Sequence, residues 1–114
     1  MPKTQLIQNY TFKPVIKGDT CPGLSLTVKV GGINDFVGVK VYFILTSSNG
    51  IQMLERSTEN GGISFLATAN PCNLVLGEFP CDFKIGTYLF KMRFQYPTGK
   101  TRTYLAGSLK IINE

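Results

Sequence analysis

The stretch from Gly86 to Ile112 alternates so regularly that it sets both the fold class and the strand register for the last third of the chain. Tyr88, Phe90, Met92, Phe94 and Tyr96 hold the even positions, and Lys91, Arg93 and Gln95 hold odd ones. A period of two is the mark of a strand buried on one face. Pro97-Thr98-Gly99-Lys100 follows. Proline fixes φ and glycine accepts positive φ, so the segment predicts a tight reversal. With that segment as the loop, Tyr96 faces Thr101, Phe94 faces Thr103, Met92 faces Leu105, Phe90 faces Gly107 and Tyr88 faces Leu109. A slip by one residue would set Arg102, Ser108 and Lys110 against the aromatic row, so the pattern selects its own register. Gly107 opposite Phe90 leaves room for the ring.

The same period recurs upstream. Leu24, Leu26, Val28 and Val30 share one face, with Ser25, Thr27 and Lys29 on the other. Val39, Val41, Phe43 and Leu45 repeat it, with Lys40, Tyr42 and Thr46 opposite. Ser47-Ser48-Asn49-Gly50 and Asn60-Gly61-Gly62 both read as hairpin turns. An N-terminal edge strand with Leu6, Tyr10 and Phe12 on one side is expected to end at Pro14. Helical spacing is absent. About seven to nine short strands, separated by Gly, Pro and Asn clusters, describe an antiparallel sandwich, with a small closed barrel as the competing architecture. The segment from Pro71 to Gly86, with two prolines and two glycines, is expected to be the least regular part and a functional loop.

At 114 residues the chain is expected to form a single domain, residues 1–114, with one core. No apolar run approaches the roughly 18 to 20 residues that span a bilayer, and Met1-Pro2-Lys3-Thr4-Gln5 lacks the apolar centre of a secretory signal. A soluble product, made in the cytosol and without a membrane partner, is the expectation. Cys21, Cys72 and Cys81 are then expected to be free thiols rather than a Cys72 to Cys81 disulfide. A zinc site would need a fourth ligand, because the chain has no histidine.

That absence also removes the usual general base and the middle member of most nucleophilic triads. The seven acids are scattered among turns and ends, so no carboxylate pair is indicated. Gly99-Lys100-Thr101 imitates the end of a phosphate-binding loop, but Phe94 stands where the motif needs glycine and a strand follows where it needs a helix. No enzyme activity, catalytic residue, metal site or cofactor is expected.

Binding surfaces remain. In the register above, Lys91, Arg93, Arg102, Tyr104 and Lys110 share the outward face of the hairpin, and Lys29 and Lys40 are candidates to extend it. With a net charge of +5, this face favours an acidic partner. Basic groups interleaved with an aromatic are also suited to single-stranded nucleic acid, although one tyrosine is a sparse stacking platform. Tyr42, Ile44 and Leu89 face outward too and suit a partner interface.

Three segments carry a resemblance. Lys17-Gly18-Asp19-Thr20 leads into Leu24-Ser25-Leu26-Thr27-Val28. Asp35-Phe36-Val37-Gly38 precedes Val39-Lys40-Val41-Tyr42-Phe43. Ile85-Gly86-Thr87-Tyr88-Leu89-Phe90 is followed by Thr103-Tyr104-Leu105-Ala106-Gly107-Ser108-Leu109-Lys110-Ile111. In this order they resemble the small immunoglobulin-like β-sandwich domain of tailed-phage structural proteins, including the N-terminal domain of phage baseplate upper proteins. Cys21-Pro22 departs from that pattern, as does Phe36-Val37 in place of a Leu-Thr pair. The resemblance implies an immunoglobulin-like topology and a non-enzymatic virion component of capsid, neck or baseplate. Such a protein is made in the host cytoplasm and packs against other virion proteins, many copies in a symmetric assembly. The expected contact elements are the loop from Gly31 to Gly38, with Asp35 and Phe36, and the segment from Pro71 to Gly86, with Phe79. The runner-up is a single-stranded nucleic-acid module. A sugar-binding adhesin is third, weakened by the absence of tryptophan for stacking.

Overall fold

Every stretch of strict alternation forms a strand in the computed structural model, which describes residues 8–30, 32, 35–69 and 71–113. The chain is all-β. No helix occurs among the described residues, and 11 strands form several mostly antiparallel sheets.

The long hairpin, β10 (Gly86–Gln95) and β11 (Thr101–Ile112), is the centre of the largest sheet. On one side β10 pairs with β5 (Lys40–Thr46), which pairs with the edge strand β6 (Gln52–Ser57). On the other side β11 carries β1 (Gln8–Thr11) and β2 (Val15–Ile16) in tandem, both parallel to it. Pro14 separates the two, as expected of a residue with no N–H to give a ladder. Leu6 lies outside the described residues. A second sheet has the order β4 (Leu24–Val28), β8 (Cys72–Leu76), β7 (Ile63–Ala67), and β3 (Thr20–Cys21) pairs with β9 (Phe79–Pro80).

Three expectations are corrected. There are more strands than seven to nine because Pro22-Gly23 divides β3 from β4, and Gly77-Glu78 divides β8 from β9. Gly23 has φ +82°, and a Cβ there would overlap the Leu76 carbonyl oxygen, so the break is a close crossing of two backbones that only glycine permits. The segment from Pro71 to Gly86 is therefore half strand. The turn at Asn60-Gly61-Gly62 is not a hairpin turn, since β6 and β7 belong to different sheets. Asn60 Oδ1 accepts the Ser57 N–H at 2.9 Å and the Gly62 N–H at 3.0 Å, and this bracing turns the chain from one sheet to the other.

One core serves all the sheets. Val41, Phe43 and Leu45 of β5 and Tyr88, Phe90, Met92 and Phe94 of β10 are buried together with Ile63, Leu74, Leu76 and Phe79. Phe43 joins the layers, with its ring 5.3 Å from Phe90 in its own sheet and 5.6 Å from Phe79 across the core. Gly107 lies opposite Phe90 as read from the sequence, but a further constraint acts on it. A Cβ there would approach Phe90 Cε2 to 2.9 Å and would overlap the Tyr10 carbonyl oxygen outright. The glycine is thus required chiefly by the close approach of β1.

Candidate functional site

The outward face of the large sheet follows from its ladders, because residues opposite one another in register point to the same side. Arg93 is flanked by Tyr42 and Thr103, Lys91 by Ile44 and Ala106, and Leu89 by Thr46 and Ser108. Leu89 is 54% exposed, and Tyr42 and Ile44 are half-buried. A depression of about 600 Å³ lies at Leu89, lined also by Thr11, Thr46, Lys91, Ala106 and Ser108 among others. The small side chains of β11 make this hollow. Lys110 shares the face but pairs with Thr87, six residues along β10 from Arg93, which at about 3.4 Å per residue is some 20 Å away.

Tyr42 is anchored through its hydroxyl. Its hydroxyl lies 3.3 Å from both Glu59 Oε1 and Gln95 Oε1, and Lys40 Nζ lies 3.0 Å from Glu59 Oε1. The hydrogen bond and charge of Lys40 hold the Glu59 carboxyl below its ordinary range, and Glu59 in turn raises the Lys40 ammonium. Burial, then the Glu59 charge, pushes the Tyr42 phenol up. Lys40 is therefore on the expected face but already neutralised. Lys29 follows β4 in the other sheet and does not extend the patch.

Arg102 and Tyr104 are corrected. The expected register holds from Tyr88 to Met92 and then shifts, because Met92 pairs with Leu105 while Arg93 pairs with Thr103. Tyr104 is the extra residue of a β-bulge. Past it, Phe94 faces Arg102 and Gln95 faces Thr101, and the loop shortens to Pro97-Thr98-Gly99. Tyr96 N–H donates to Lys100 O at 2.8 Å and Gly99 N–H donates to Tyr96 O at 2.8 Å, with Gly99 at φ +92°. The physical reason lies in Tyr104-Leu105. Two consecutive apolar side chains both reach the core, at 9% and 6% exposure, only if the strand bulges between them. Tyr104 packs edge-on to Phe94 at 5.0 Å, and its hydroxyl meets that of Tyr96 at 2.5 Å. The basic residues are thereby divided, with Lys91, Arg93 and Lys110 on the outer face and Arg102 on the inner one.

Arg102 and Tyr104 instead line a groove of about 370 Å³ with Val30, Tyr96, Pro97, Thr98 and Lys100. The sequence reading missed this grouping; the apolar pair Tyr104-Leu105, out of step with strict alternation, was its signal. Arg102 Nη1 donates to Thr101 O at 2.9 Å. Burial, then the Tyr104 hydroxyl, holds the Tyr96 phenol well above its ordinary value.

The other candidates separate. Asp35 is exposed and acts within its own turn, its Oδ1 accepting the Val37 N–H at 3.1 Å. Phe36 and Phe79 are buried, at 0% and 1% exposure, and both are corrected from contact residues to core. Phe36 stacks near Phe94 and Phe65, at 5.9 and 6.4 Å. The three thiols are free and buried. Cys81 neighbours Cys21 rather than Cys72, and burial first, then Cys21, pushes its thiol up to about 12. No group of His, Cys, Asp and Glu among the described residues is arranged to hold a metal ion. Compared with models of known protein families and with curated proteins, the chain matches none.

Proposed function

We propose that this protein is a non-enzymatic structural component of a tailed-phage virion, a single immunoglobulin-like β-sandwich that works by assembly contacts with other virion proteins. The observation that carries the proposal is the outer face of the large sheet, where Tyr42, Ile44 and Leu89 stand beside Lys91 and Arg93. Apolar side chains set beside cations on one face suit a protein interface: burial of the apolar groups favours association, and the charges set orientation. A standard interface needs about 800 Å² on each partner, and an open face of four or more strands is a natural place to find it.

The strand order supports the finer fold reading. With β3 and β4 taken together as one strand, and β8 and β9 as another, the layers run β1-β11-β10-β5-β6 and β4-β8-β7. This is consistent with an immunoglobulin-like sandwich carrying an additional edge strand on the larger sheet. The sequence resemblance across residues 17 to 112 supports the virion setting.

The nucleic-acid alternative loses support from the bulge. A backbone track needs contiguous cations and exposed rings, whereas Arg93 and Arg102 lie on opposite faces and the Tyr104 ring is buried against Phe94. Mass spectrometry of purified phage particles tests the proposal. The protein is expected at a fixed stoichiometry to the capsid or tail proteins, and its absence from intact particles overturns the reading.

A further inference from the structure

The groove at the hairpin tip lies on the inner side of the sheet, away from the face proposed for assembly, and its chemistry is different. Part of its lining is apolar: Val30 comes from the segment after β4, and Tyr96 and Pro97 from the end of β10 and its turn. It also carries two cations, Lys100 and Arg102, and among the described residues no acidic side chain lines it. Among the described residues the ion pairs are Lys17 with Asp82 and Lys40 with Glu59, so neither cation is neutralised by a described acid. The Arg102 guanidinium has five N–H donors in a planar fork, and the bond to Thr101 O engages one nitrogen. The hydroxyls of Tyr96 and Tyr104 carry two protons between them, and the bond joining them uses one. The other proton is left to meet a further acceptor.

We infer that this groove binds the carboxylate of an acidic peptide segment, with Arg102 and Lys100 on the carboxylate and the neighbouring apolar side chain against Tyr96, Pro97 and Val30. A guanidinium fork beside a phenol suits a planar anion, and a volume of about 370 Å³ lies at the lower end of the roughly 300 to 1,000 Å³ of ligand clefts. Protein is favoured over nucleic acid because the groove offers two cations and one half-buried ring, with the remaining hairpin cations on the far side of the sheet. The inference does not rest on the outer-face reading, and either stands if the other fails.

The test is an amide-resolved NMR titration with a blocked tripeptide in which two glutamates flank a phenylalanine. Saturable shifts are expected at Val30, Lys100, Arg102 and Tyr104, and not at Lys91 or Arg93. Arg102→Lys, which keeps the charge and loses the fork, weakens binding by about fivefold or more, and Tyr96→Phe weakens it less. Lys91→Ala leaves it unchanged and controls for general charge. Equal shifts from the glutamine tripeptide overturn the proposal. So does equal binding of inorganic phosphate, which would make the groove a general anion site, or tighter binding of oligothymidylate, which would assign it to nucleic acid. A native-like spectrum of Arg102→Lys without peptide separates lost binding from lost fold.

Discussion

The two ends of the β10–β11 hairpin are built from the same kind of alternating sequence and behave differently. From Tyr88 to Met92 the pairing with Leu105 to Leu109 keeps strict step, and each inward side chain meets its counterpart over the core. From Arg93 to Arg102 the step is lost at Tyr104, and every residue of the second arm beyond it changes face. The comparison teaches that alternation carries register only as far as the next bulge. The cost falls on function, because surface residues near a hairpin tip are the ones assigned to the wrong side. In the core the error changes Tyr104, expected to face outward and in fact buried against Phe94, while Phe94 is buried under either register.

If the base is the structural half, the largest losses belong there. Phe90→Ala removes a buried ring that packs 5.1 Å from Phe12 and 5.3 Å from Phe43, and is expected to cost about 4 kcal/mol in urea unfolding. Tyr104→Ala at the tip removes a ring that packs on one described ring, Phe94, and is expected to cost about 3 kcal/mol or less. Equal losses would break the comparison and make the tip as integral to the core as the base.

The thiols sharpen it through pH. Cys21 and Cys81 neighbour each other at the β3–β9 pairing, while Cys72 lies in β8 of the β4-β8-β7 sheet. In the fold the Cys81 thiol is pushed from 9.0 up to about 12, mainly by burial. Its neutral form is therefore favoured by folding. The unfolded chain releases the proton first as pH rises, so stability is full below about 9 and falls progressively as pH climbs toward 12. Urea midpoints at pH 7, 9 and 10.5 are expected to drop between the last two, and Cys81→Ala to reduce that drop. An unchanged slope in Cys81→Ala would assign the loss to other groups. A smaller effect isolates the tip: Tyr104→Phe keeps the ring and removes its bond to Tyr96, and is expected to cost about 1 kcal/mol.

What the sequence disclosed follows one physical line. Burial with a period of two is written in side-chain type, so β4, β5 and β10 were legible to within two residues, as was the inward row of Phe43, Leu45, Phe90 and Phe94. Pairing between distant strands is not written that way. The parallel run of β1 along β11 and the passage from β6 to β7 in another sheet depend on which backbones meet in space. The candidate site suffered from the same gap. The pattern assigns Tyr42, Lys91, Arg93, Lys110, Arg102 and Tyr104 alike to the outer face; the first four lie there and the last two do not, and the groove those two line with Val30 and Tyr96 joins segments more than 60 residues apart. Phe36 and Phe79 were read as loop contacts because proline and glycine surround them, whereas their own bulk makes them core.

The smallest expected effect on stability is also the most direct test of the division between faces. Lys91 is exposed and Arg93 half-buried on the outer side, and neither is required by the core, so Lys91→Glu with Arg93→Glu is expected to change unfolding free energy by no more than about 0.5 kcal/mol. If the outer face carries assembly, the same reversal lowers incorporation into particles. It leaves the tripeptide titration at the hairpin tip untouched, because Arg102 and Lys100 address the other side of the sheet. Incorporation at the wild-type level would remove the outer face as the assembly surface. A matched loss of peptide binding would mean that the two faces are coupled through β10, and the separation drawn at the Tyr104 bulge would fail with it.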